Sequence, residues 1–226
     1  MPRSRTATAP STSASSSRVW TAAAEGSGPI APDLTLLRGF TATAPLRAAT
    51  EVIAAAAPFR HLTTPGGGRM SVSMTNCGAW GWHSDARGYR YLAHDPASGA
   101  AWPAMPALFR ALAADAAAAG GFGGFEPDCC LVNRYVVGAQ MGAHRDFDEL
   151  DMRHPIVSVS IGLPAVFLWY GATRRGPALR VPLADGDVVV FGGSARAGYH
   201  GVRRLAAPGP DAAATVRYNL TFRRAR

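Results

Sequence analysis

The sequence predicts an α+β protein built on a β-barrel or a double-sheet jelly roll. Two helical segments come early, over residues 44–57 and 107–119, and short strand-like runs separated by Gly, Pro and Asp dominate from residue 129 onward. Helices that come first and many short strands that follow are typical of an α+β fold, in which the helices pack together on one side of the sheets. A length of 226 residues is enough for one domain with a sizeable core.

The N-terminal residues 1–28 differ in composition from the rest of the chain. They are rich in Ser, Thr, Ala and Pro, and no acidic residue precedes Glu25. Such a segment cannot bury much apolar surface, so we expect it to be a disordered, dispensable extension. Its arginines also give it the look of an organelle transit peptide, whereas a secretory signal would need an apolar centre. Residues 29–226 are predicted to form the single domain.

The predicted elements have clear boundaries. The first helix ends before Pro58, and the turn-rich segment 63–68 follows it. Residues 69–92 carry short alternating strands, and the second helix is introduced by two prolines and ended by two glycines. The later strands are predicted over 129–136, 156–161, 165–170, 187–191 and 216–223.

Charge and cysteine content narrow the class of protein. The net charge is +8 and every basic residue is arginine, whose forked guanidinium suits phosphates and carboxylates. This is compatible with a nucleic-acid partner, although charge alone is weak support. No apolar run approaches the ~20 residues that span a bilayer, so we expect no membrane partner. The three cysteines, Cys77, Cys129 and Cys130, fit no disulfide or zinc pattern, and we expect them to be buried in a reducing cytoplasm.

A metal site is indicated by the sequence His144-Arg145-Asp146. On an extended strand, residues two apart point to the same face, so one ion can reach both side chains. His200, which follows a strand, is the natural third ligand. Two histidines and one carboxylate on one face of an octahedron leave three positions open, as a non-haem Fe(II) oxygenase requires. The pattern His-x-Asp alone is a weak signal for a metal site. A histidine that is exposed to solvent, or hydrogen-bonded within the protein, is the commoner alternative.

The C-terminal strand strengthens this interpretation. Its alternation puts Arg217, Asn219, Thr221 and Arg223 on one face, and the apolar residues between them on the other. On an edge strand the polar face would be exposed to solvent. Inside a barrel, one of these arginines is able to bind a carboxylate of a dicarboxylic acid through two parallel hydrogen bonds. The amide of Asn133 and the hydroxyl of Tyr135, which share a face of another strand, are donors for the same carboxylates.

Several longer stretches resemble the AlkB family of 2-oxoglutarate- and Fe(II)-dependent nucleic-acid dealkylases, close to its bacterial founding member. They occur in family order across roughly residues 35–224, which makes the match specific. The stretches are TTPGG (63–67), MSVSMTNCG (70–78), GW (81–82), GYRY (88–91), WPAMP (102–106), LVNRY (131–135), HRDFDE (144–149), PIVSVS (155–160) and RYNLTFR (217–223).

The resemblance implies a double-stranded β-helix with a nucleotide-recognition lid over residues 63–92. It implies that Fe(II) is bound by His144, Asp146 and His200. It also implies that the distal carboxylate of 2-oxoglutarate is bound by Arg217, with Arg223 near the other end. The resemblance further implies that Asn133, Tyr135 and Asn219 assist in binding this co-substrate.

The substrates implied by the resemblance are N-alkylated bases such as 1-methyladenine and 3-methylcytosine, which carry a positive charge. Trp82 is predicted to stack on one face of the flipped base and His144 to cover the other, with Asp148 supplying negative charge on the same strand face as Asp146. Tyr89 and Tyr91 are predicted to contact the neighbouring phosphate or sugar. The further substrate-binding candidates are Met74, Ser158 and Arg174, and either Arg174 or Arg175 is expected to contact the backbone of the complementary strand.

The predicted activity is oxidative demethylation of DNA, with RNA left open as a second substrate. It consumes O2 and 2-oxoglutarate and releases formaldehyde, succinate and CO2. We expect a monomer acting on single-stranded or duplex alkylated DNA. Two alternatives stay open, an oxygenase of the same fold acting on protein, lipid or a small molecule and a non-catalytic jelly roll that binds nucleic acid through its arginines. The recognition turn at 66–69 is looser than the founding member's, which leaves lesion preference open.

Overall fold

The computed structural model describes residues 26–207, 209 and 214–226. Two α-helices lie in the described part of the chain, α1 (Ala44–Ala56) and α2 (Ala107–Ala119), and a single 3-10 turn covers Gly193–Ala195. The strands are β1 (Gly28–Ala31), β2 (Leu34–Leu37), β3 (Arg60–Thr63), β4 (Arg69–Gly78), β5 (Gly81–Asp85), β6 (Gly88–Leu92), β7 (Cys129–Tyr135), β8 (Met141–His144), β9 (Ile156–Gly162), β10 (Ala165–Gly171), β11 (Leu179–Leu183), β12 (Val188–Phe191), β13 (Tyr199–Val202) and β14 (Arg217–Arg223).

The strands form two large antiparallel sheets, and the predicted double-sheet jelly roll is confirmed. The major sheet has the order β1-β2-β12-β9-β14-β7-β4-β3, and the minor sheet has the order β11-β10-β13-β8. Neighbours in each sheet are mostly distant in sequence, as expected for a jelly roll rather than a meander. Strands β5 and β6 form a separate hairpin.

Both predicted helices are present. α1 ends one residue before the predicted end, because Ala57 is extended (φ −132°, ψ 92°) ahead of Pro58, whose ring disfavours a helical residue before it. α2 covers the predicted residues 107–119 and is followed by Gly120 and by Gly121 at φ +92°. The predicted ends therefore follow from local proline and glycine chemistry.

The helices pack on the outer face of the major sheet. Leu46 of α1 and Phe109 of α2 lie in one apolar cluster with Val159 of β9 and Leu220 of β14. Because side chains alternate along a strand, the residues between these point to the opposite, inner face. The outer face thus supplies the apolar cluster that includes the helices, and the inner face lines the space between the sheets, part of which a second apolar cluster fills.

The lid predicted over residues 63–92 is only partly separate from the barrel. β4 belongs to the major sheet, between β3 and β7, and most of its C-terminal half is buried. The hairpin of β5 and β6 is the part that stands apart from both large sheets. The sequence pattern does not distinguish β4 from the hairpin, because both faces of β4 are covered by the protein and its polar and apolar residues are mixed.

The boundary predicted at 28/29 falls within β1, and residues 1–25 of the predicted extension lie outside the described residues. Neither described helix is long and apolar enough to cross a membrane. The three cysteines are buried and free, as predicted. Five short strands were not predicted, namely β1, β2, β3, β11 and β13, because runs of only four or five residues leave little alternation to detect.

Candidate metal and co-substrate site

The two histidines of the predicted triad come from neighbouring strands of the minor sheet. His144 ends β8 and pairs directly with His200 of β13, and the centroids of their rings are 4.4 Å apart. Asp146 lies two residues beyond the end of β8, so the prediction of one continuous strand through residues 144–146 was wrong. Its carboxylate still reaches the same point, with Oδ1 3.8 Å from His144 Nε2 and Oδ2 3.8 Å from His200 Nε2.

Each histidine is oriented through its other ring nitrogen. The Nδ1 atom of His144 lies 2.9 Å from the carbonyl oxygen of Gly142, and that of His200 lies 3.1 Å from the carbonyl oxygen of Gly198. A carbonyl only accepts a hydrogen bond, so Nδ1 must carry the proton in both rings. Nε2 is then left with a free lone pair, which is the form that binds a metal ion.

The charges around the triad favour an ionised Asp146 carboxylate and a neutral His200 imidazole. Burial raises the pKa of Asp146, but the guanidinium of Arg223 and the two imidazoles outweigh it, so the pKa lies below its usual value. Burial and the neighbouring His144 lower the pKa of His200 to about 4. These are the protonation states that metal coordination requires.

Aromatic rings enclose His200. The ring centroids of Phe191, Phe167 and Trp169 lie 5.0, 5.7 and 6.5 Å from that of His200. A Cβ atom on Gly198 would overlap the ring of Trp169. These aromatic rings therefore form a wall behind one of the candidate metal ligands.

The donor set fits a divalent iron ion. The ligand atoms of His144, Asp146 and His200 all lie within 4.8 Å of one another. They are two imidazole nitrogens and one carboxylate oxygen, and the three residues that carry them line one cavity. This is the donor chemistry of non-haem Fe(II) oxygenases, which leaves positions for a co-substrate and O2.

The polar face of β14 lines the same cavity, as predicted. The cavity has a volume of about 610 Å³, and it is lined by Arg217, Asn219, Thr221 and Arg223 together with all three candidate ligands. The antiparallel register puts Arg217 opposite Tyr135 and Asn219 opposite Asn133. The four residues that the sequence assigned to one co-substrate site therefore lie side by side, with Arg223 at the metal end.

Arg217 carries the strongest sign of an anionic ligand. Its side chain is 1% exposed, and it donates one hydrogen bond from Nη2 to the hydroxyl of Ser160 at 3.1 Å. Among the described residues, its Nε and Nη1 atoms have no hydrogen-bond partner. Burial lowers the pKa of this guanidinium, although the adjacent Tyr135 opposes that effect. A buried and unpaired cation is costly, and a carboxylate of 2-oxoglutarate would satisfy both nitrogens.

Asn219 is held by its neighbours within this wall. Its Nδ2 atom donates to Ser158 Oγ at 2.8 Å and to the carbonyl oxygen of Val159 at 3.0 Å. Its Oδ1 atom accepts a hydrogen bond from the hydroxyl of Thr221 at 2.9 Å. Asn219 and Ser158 thus line the cavity, but they also form a network that fixes the wall.

A buried ion network that the sequence did not reveal holds the loop carrying Asp146. Arg223 donates from Nη2 to Asp146 Oδ2 at 2.8 Å, and its Nε lies 3.3 Å from Glu149 Oε1. The other oxygen of Glu149 pairs with Arg196 at 2.9 Å, and Arg196 also donates to the backbone carbonyl of Asp146 at 2.9 Å. Two carboxylates and two guanidinium groups therefore balance one another beside the metal site.

Tyr91 belongs to this network, and it does not line the cavity to which its predicted contact with the nucleic acid was assigned. Its side chain is 4% exposed, and its hydroxyl donates to Glu149 Oε1 at 2.6 Å. It is absent from the lining of the cavity, whereas Tyr89 on the same hairpin strand lines it and is 46% exposed. Alternation alone would put both tyrosines on one face, but the hairpin turns Tyr91 towards the loop beneath it.

Trp82 and Asp148 form a hydrogen-bonded pair at the cavity. The indole Nε1 donates to Asp148 Oδ2 at 2.9 Å, and the indole stacks on Tyr89 with ring centroids 5.5 Å apart. Burial and the nearby carboxylates of Glu149 and Asp146 raise the pKa of Asp148, although Trp82 opposes them. Asp148 lies in the loop after β8 and not on a strand face, so the pairing with Trp82 rather than strand alternation positions it.

The other predicted substrate residues also reach the cavity. Met74 of β4, Ser158 of β9 and Arg174 after β10 all line it. Arg174 donates from Nε to the backbone carbonyl of Ala143 at 3.1 Å, which puts its guanidinium beside His144 at the mouth. The structure thus brings every predicted site residue except Tyr91 to one cavity.

The chain is similar to known proteins over most of its length. The sequence model of the 2OG-Fe(II) oxygenase superfamily matches residues 33–223. The chain is 47% identical over 199 residues to the α-ketoglutarate-dependent dioxygenase AlkB of Escherichia coli, covering 87% of this chain and 92% of that protein. It is 43% identical over 217 residues to the AlkB homolog of Caulobacter vibrioides, covering 90% and 96%.

The fold is similar to that of a solved relative. The structure of OsALKBH1 superimposes with a TM-score of 0.76 at 28% sequence identity, covering 88% of this chain and 99% of that one.

Proposed function

Since the chain belongs to the AlkB family within the 2OG-Fe(II) oxygenase superfamily, we propose that it removes methyl groups oxidatively from N-alkylated bases in DNA. α-Ketoglutarate and 2-oxoglutarate are the same compound. The observation that carries the proposal is the sharing of one cavity by the triad, Arg217 and the Trp82–Asp148 pair. The cavity thereby combines an oxidising centre with a surface for a flat cationic ring.

Fe(II), 2-oxoglutarate and O2 supply the oxidising chemistry once bound, and formaldehyde, succinate and CO2 accompany the repaired base. His144, Asp146 and His200 would hold the metal from one side, which leaves the cavity side for the co-substrate and O2. Arg217 would bind the distal carboxylate, because its Nε and Nη1 atoms lack partners among the described residues. Buried Nη1 of Arg223, which also lacks a partner there, would serve the opposite end.

The protein's part in base recognition is to hold a cationic ring with its methyl group near the metal. Trp82 offers an aromatic face, and its hydrogen bond to Asp148 keeps that carboxylate beside the indole. A carboxylate and an aromatic face both attract a positively charged base more than a neutral one. His144, whose side chain is 38% exposed, would cover the other side of the base. Enclosure between the two sheets would keep water from the reacting methyl group.

The proposal also covers the kind of nucleic acid that is the substrate and the oligomeric state of the active protein. A methylated base pair is already weakened, so extruding its base costs less than extruding a normal one. We therefore propose single-stranded and duplex DNA as substrates, with methylated RNA as a second class. All three candidate ligands come from one chain, which supports activity as a monomer.

The test is a reaction with single-stranded DNA that contains one 3-methylcytosine, in the presence of Fe(II), 2-oxoglutarate and O2. We expect formaldehyde and succinate in equal amounts, together with unmodified cytosine. The unmethylated oligonucleotide and the His200→Ala variant serve as controls, and neither should release formaldehyde.

His144→Ala and Asp146→Ala should abolish turnover and leave affinity for DNA largely intact, because phosphate contacts set that affinity. Succinate formation without formaldehyde from any methylated nucleic acid would favour the alternative of a protein or small-molecule oxygenase. Binding of DNA without any succinate formation would favour the non-catalytic alternative.

A further inference from the structure

An exposed stack of aromatic and guanidinium groups lies at the mouth of the cavity. The guanidinium carbon of Arg145 lies 4.7 Å from the ring centroid of Phe147 and 5.3 Å from that of Tyr199. Phe147 and Arg145 both line the cavity, and Phe147 is 57% exposed. Scattered exposed apolar residues are ordinary. An exposed ring supported by a stacked arginine at the entrance of a binding cavity is a platform.

The loop that carries this platform is fixed from below. Asp146 points to the metal site and Asp148 to Trp82, whereas the residues that alternate with them, Arg145 and Phe147, are exposed. Glu149, which follows, is buried and ion-paired with Arg196 and Arg223. Phe147 is therefore exposed on a loop whose neighbouring side chains are anchored, rather than on a segment free to fold inward.

The charge at the mouth indicates what the platform binds. Within the part of the chain that the structure describes, Arg145 has no ion-pair partner, and its guanidinium lies over the two aromatic rings. Arg69 and Arg174 line the same cavity. A nucleotide offers a flat ring to Phe147 and a phosphate to the free edge of the Arg145 guanidinium. An acidic peptide would satisfy the arginines but would leave the aromatic face without a flat partner.

We propose that Phe147 and Arg145 form a second nucleotide subsite, which holds the nucleotide adjacent to the extruded base. This inference rests on the proposed function, because it assigns the neighbour of that function's substrate. When a base leaves the stack, its neighbour loses a stacking partner on one side. Phe147 replaces the lost partner, and Arg145 binds the phosphate between the two nucleotides.

The kinetic test compares a methylated single-stranded pentanucleotide with the methylated nucleoside, which has no neighbour. Base–aromatic stacking predicts that Phe147→Ala lowers the ratio of kcat/KM for the pentanucleotide to that for the nucleoside by about 5- to 150-fold. Phe147→Trp should keep the ratio near that of the wild type. Leu150→Ala is the matched control, because Leu150 is on the same loop and 75% exposed.

A binding test needs no turnover. The fluorescent base 2-aminopurine is placed in turn on each side of the lesion, and DNA is added to the protein with 2-oxoglutarate and Mn(II) in place of iron. We expect wild type and Leu150→Ala to quench one of the two probes, and Phe147→Ala not to. Arg145→Ala should reduce the slope of log affinity against log salt by about 0.7, as expected for one lost phosphate contact on single-stranded DNA.

The subsite is overturned if the wild type quenches neither probe, or if Phe147→Ala quenches as the wild type does. Formaldehyde release from the methylated nucleoside reports separately on the proposed function. A wild type that demethylates the nucleoside and shows no Phe147-dependent quenching would therefore leave the activity intact and remove only the subsite.

Discussion

The Nη2 atom of Arg223 donates a hydrogen bond to Oδ2 of Asp146 at 2.8 Å, so the strand that lines the co-substrate site also holds a candidate metal ligand. Asp146 lies outside any strand, and no ladder hydrogen bond fixes its backbone. Its orientation depends on Arg223, and the orientation of Arg223 depends in turn on Glu149. Metal binding, co-substrate binding and loop structure are therefore joined by two buried ion pairs.

Glu149→Gln should weaken metal binding although Glu149 does not reach the metal site. The substitution removes the charge that holds Arg196 and Arg223, so Asp146 loses its fixed orientation. We expect the affinity for Mn(II), measured by calorimetry, to fall by about 10- to 100-fold. The free energy of unfolding should fall by about 3 kcal/mol, because two buried guanidinium groups lose their shared carboxylate.

Glu126→Gln is the control for this change, since the side chain of Glu126 is 84% exposed and pairs only loosely with Arg224. Unchanged metal affinity in Glu149→Gln would show that Arg223 alone orients Asp146.

Gly198→Ala should displace His200 by moving the aromatic ring that packs against it. A Cβ atom at this position would overlap the Trp169 ring, which stacks on His200. The carbonyl of Gly198 also accepts the hydrogen bond from His200 Nδ1. We expect a lower melting temperature and about tenfold weaker Mn(II) binding. Gly123→Ala, where a new Cβ meets nothing within 4 Å, should alter neither quantity.

Arg217→Met should stabilise the ligand-free protein and abolish its response to 2-oxoglutarate. The buried guanidinium is desolvated and has two nitrogens without described partners, so an apolar side chain of similar length removes that cost. The free energy of unfolding should rise by about 1–4 kcal/mol. The melting temperature of the wild type should rise when 2-oxoglutarate and Mn(II) are added. A comparable gain in Arg217→Met would refute the assignment of this residue to the co-substrate.

Asp148→Asn should discriminate between two isomeric lesions. 1-Methyladenine is a cation at neutral pH and N6-methyladenine is neutral, so only the first is attracted by the carboxylate. We expect kcat/KM for 1-methyladenine in DNA to fall by about 10- to 100-fold. The value for N6-methyladenine should change much less. An equal loss for both lesions would mean that Asp148 acts only by orienting Trp82 through their hydrogen bond.

The sequence by itself determined the elements whose pattern is local. The alternation of β14 fixed which of its side chains face the cavity, and prolines and glycines fixed the ends of α1 and α2 within a residue. The stretches shared with a known family named the triad and the co-substrate residues. These features depend on residues close together in the chain, or on motifs of fixed spacing.

Only the tertiary structure decided how distant segments meet. It paired His144 with His200 on two neighbouring strands, and it put Glu149 and Arg196 beneath the metal site. It also turned Tyr91 away from the substrate cavity and exposed Phe147 at its mouth. The physical reason is that backbone periodicity fixes the face of a strand on which a side chain lies. What that face meets is fixed by the packing of elements remote in sequence, and in an irregular loop no periodicity exists to be read.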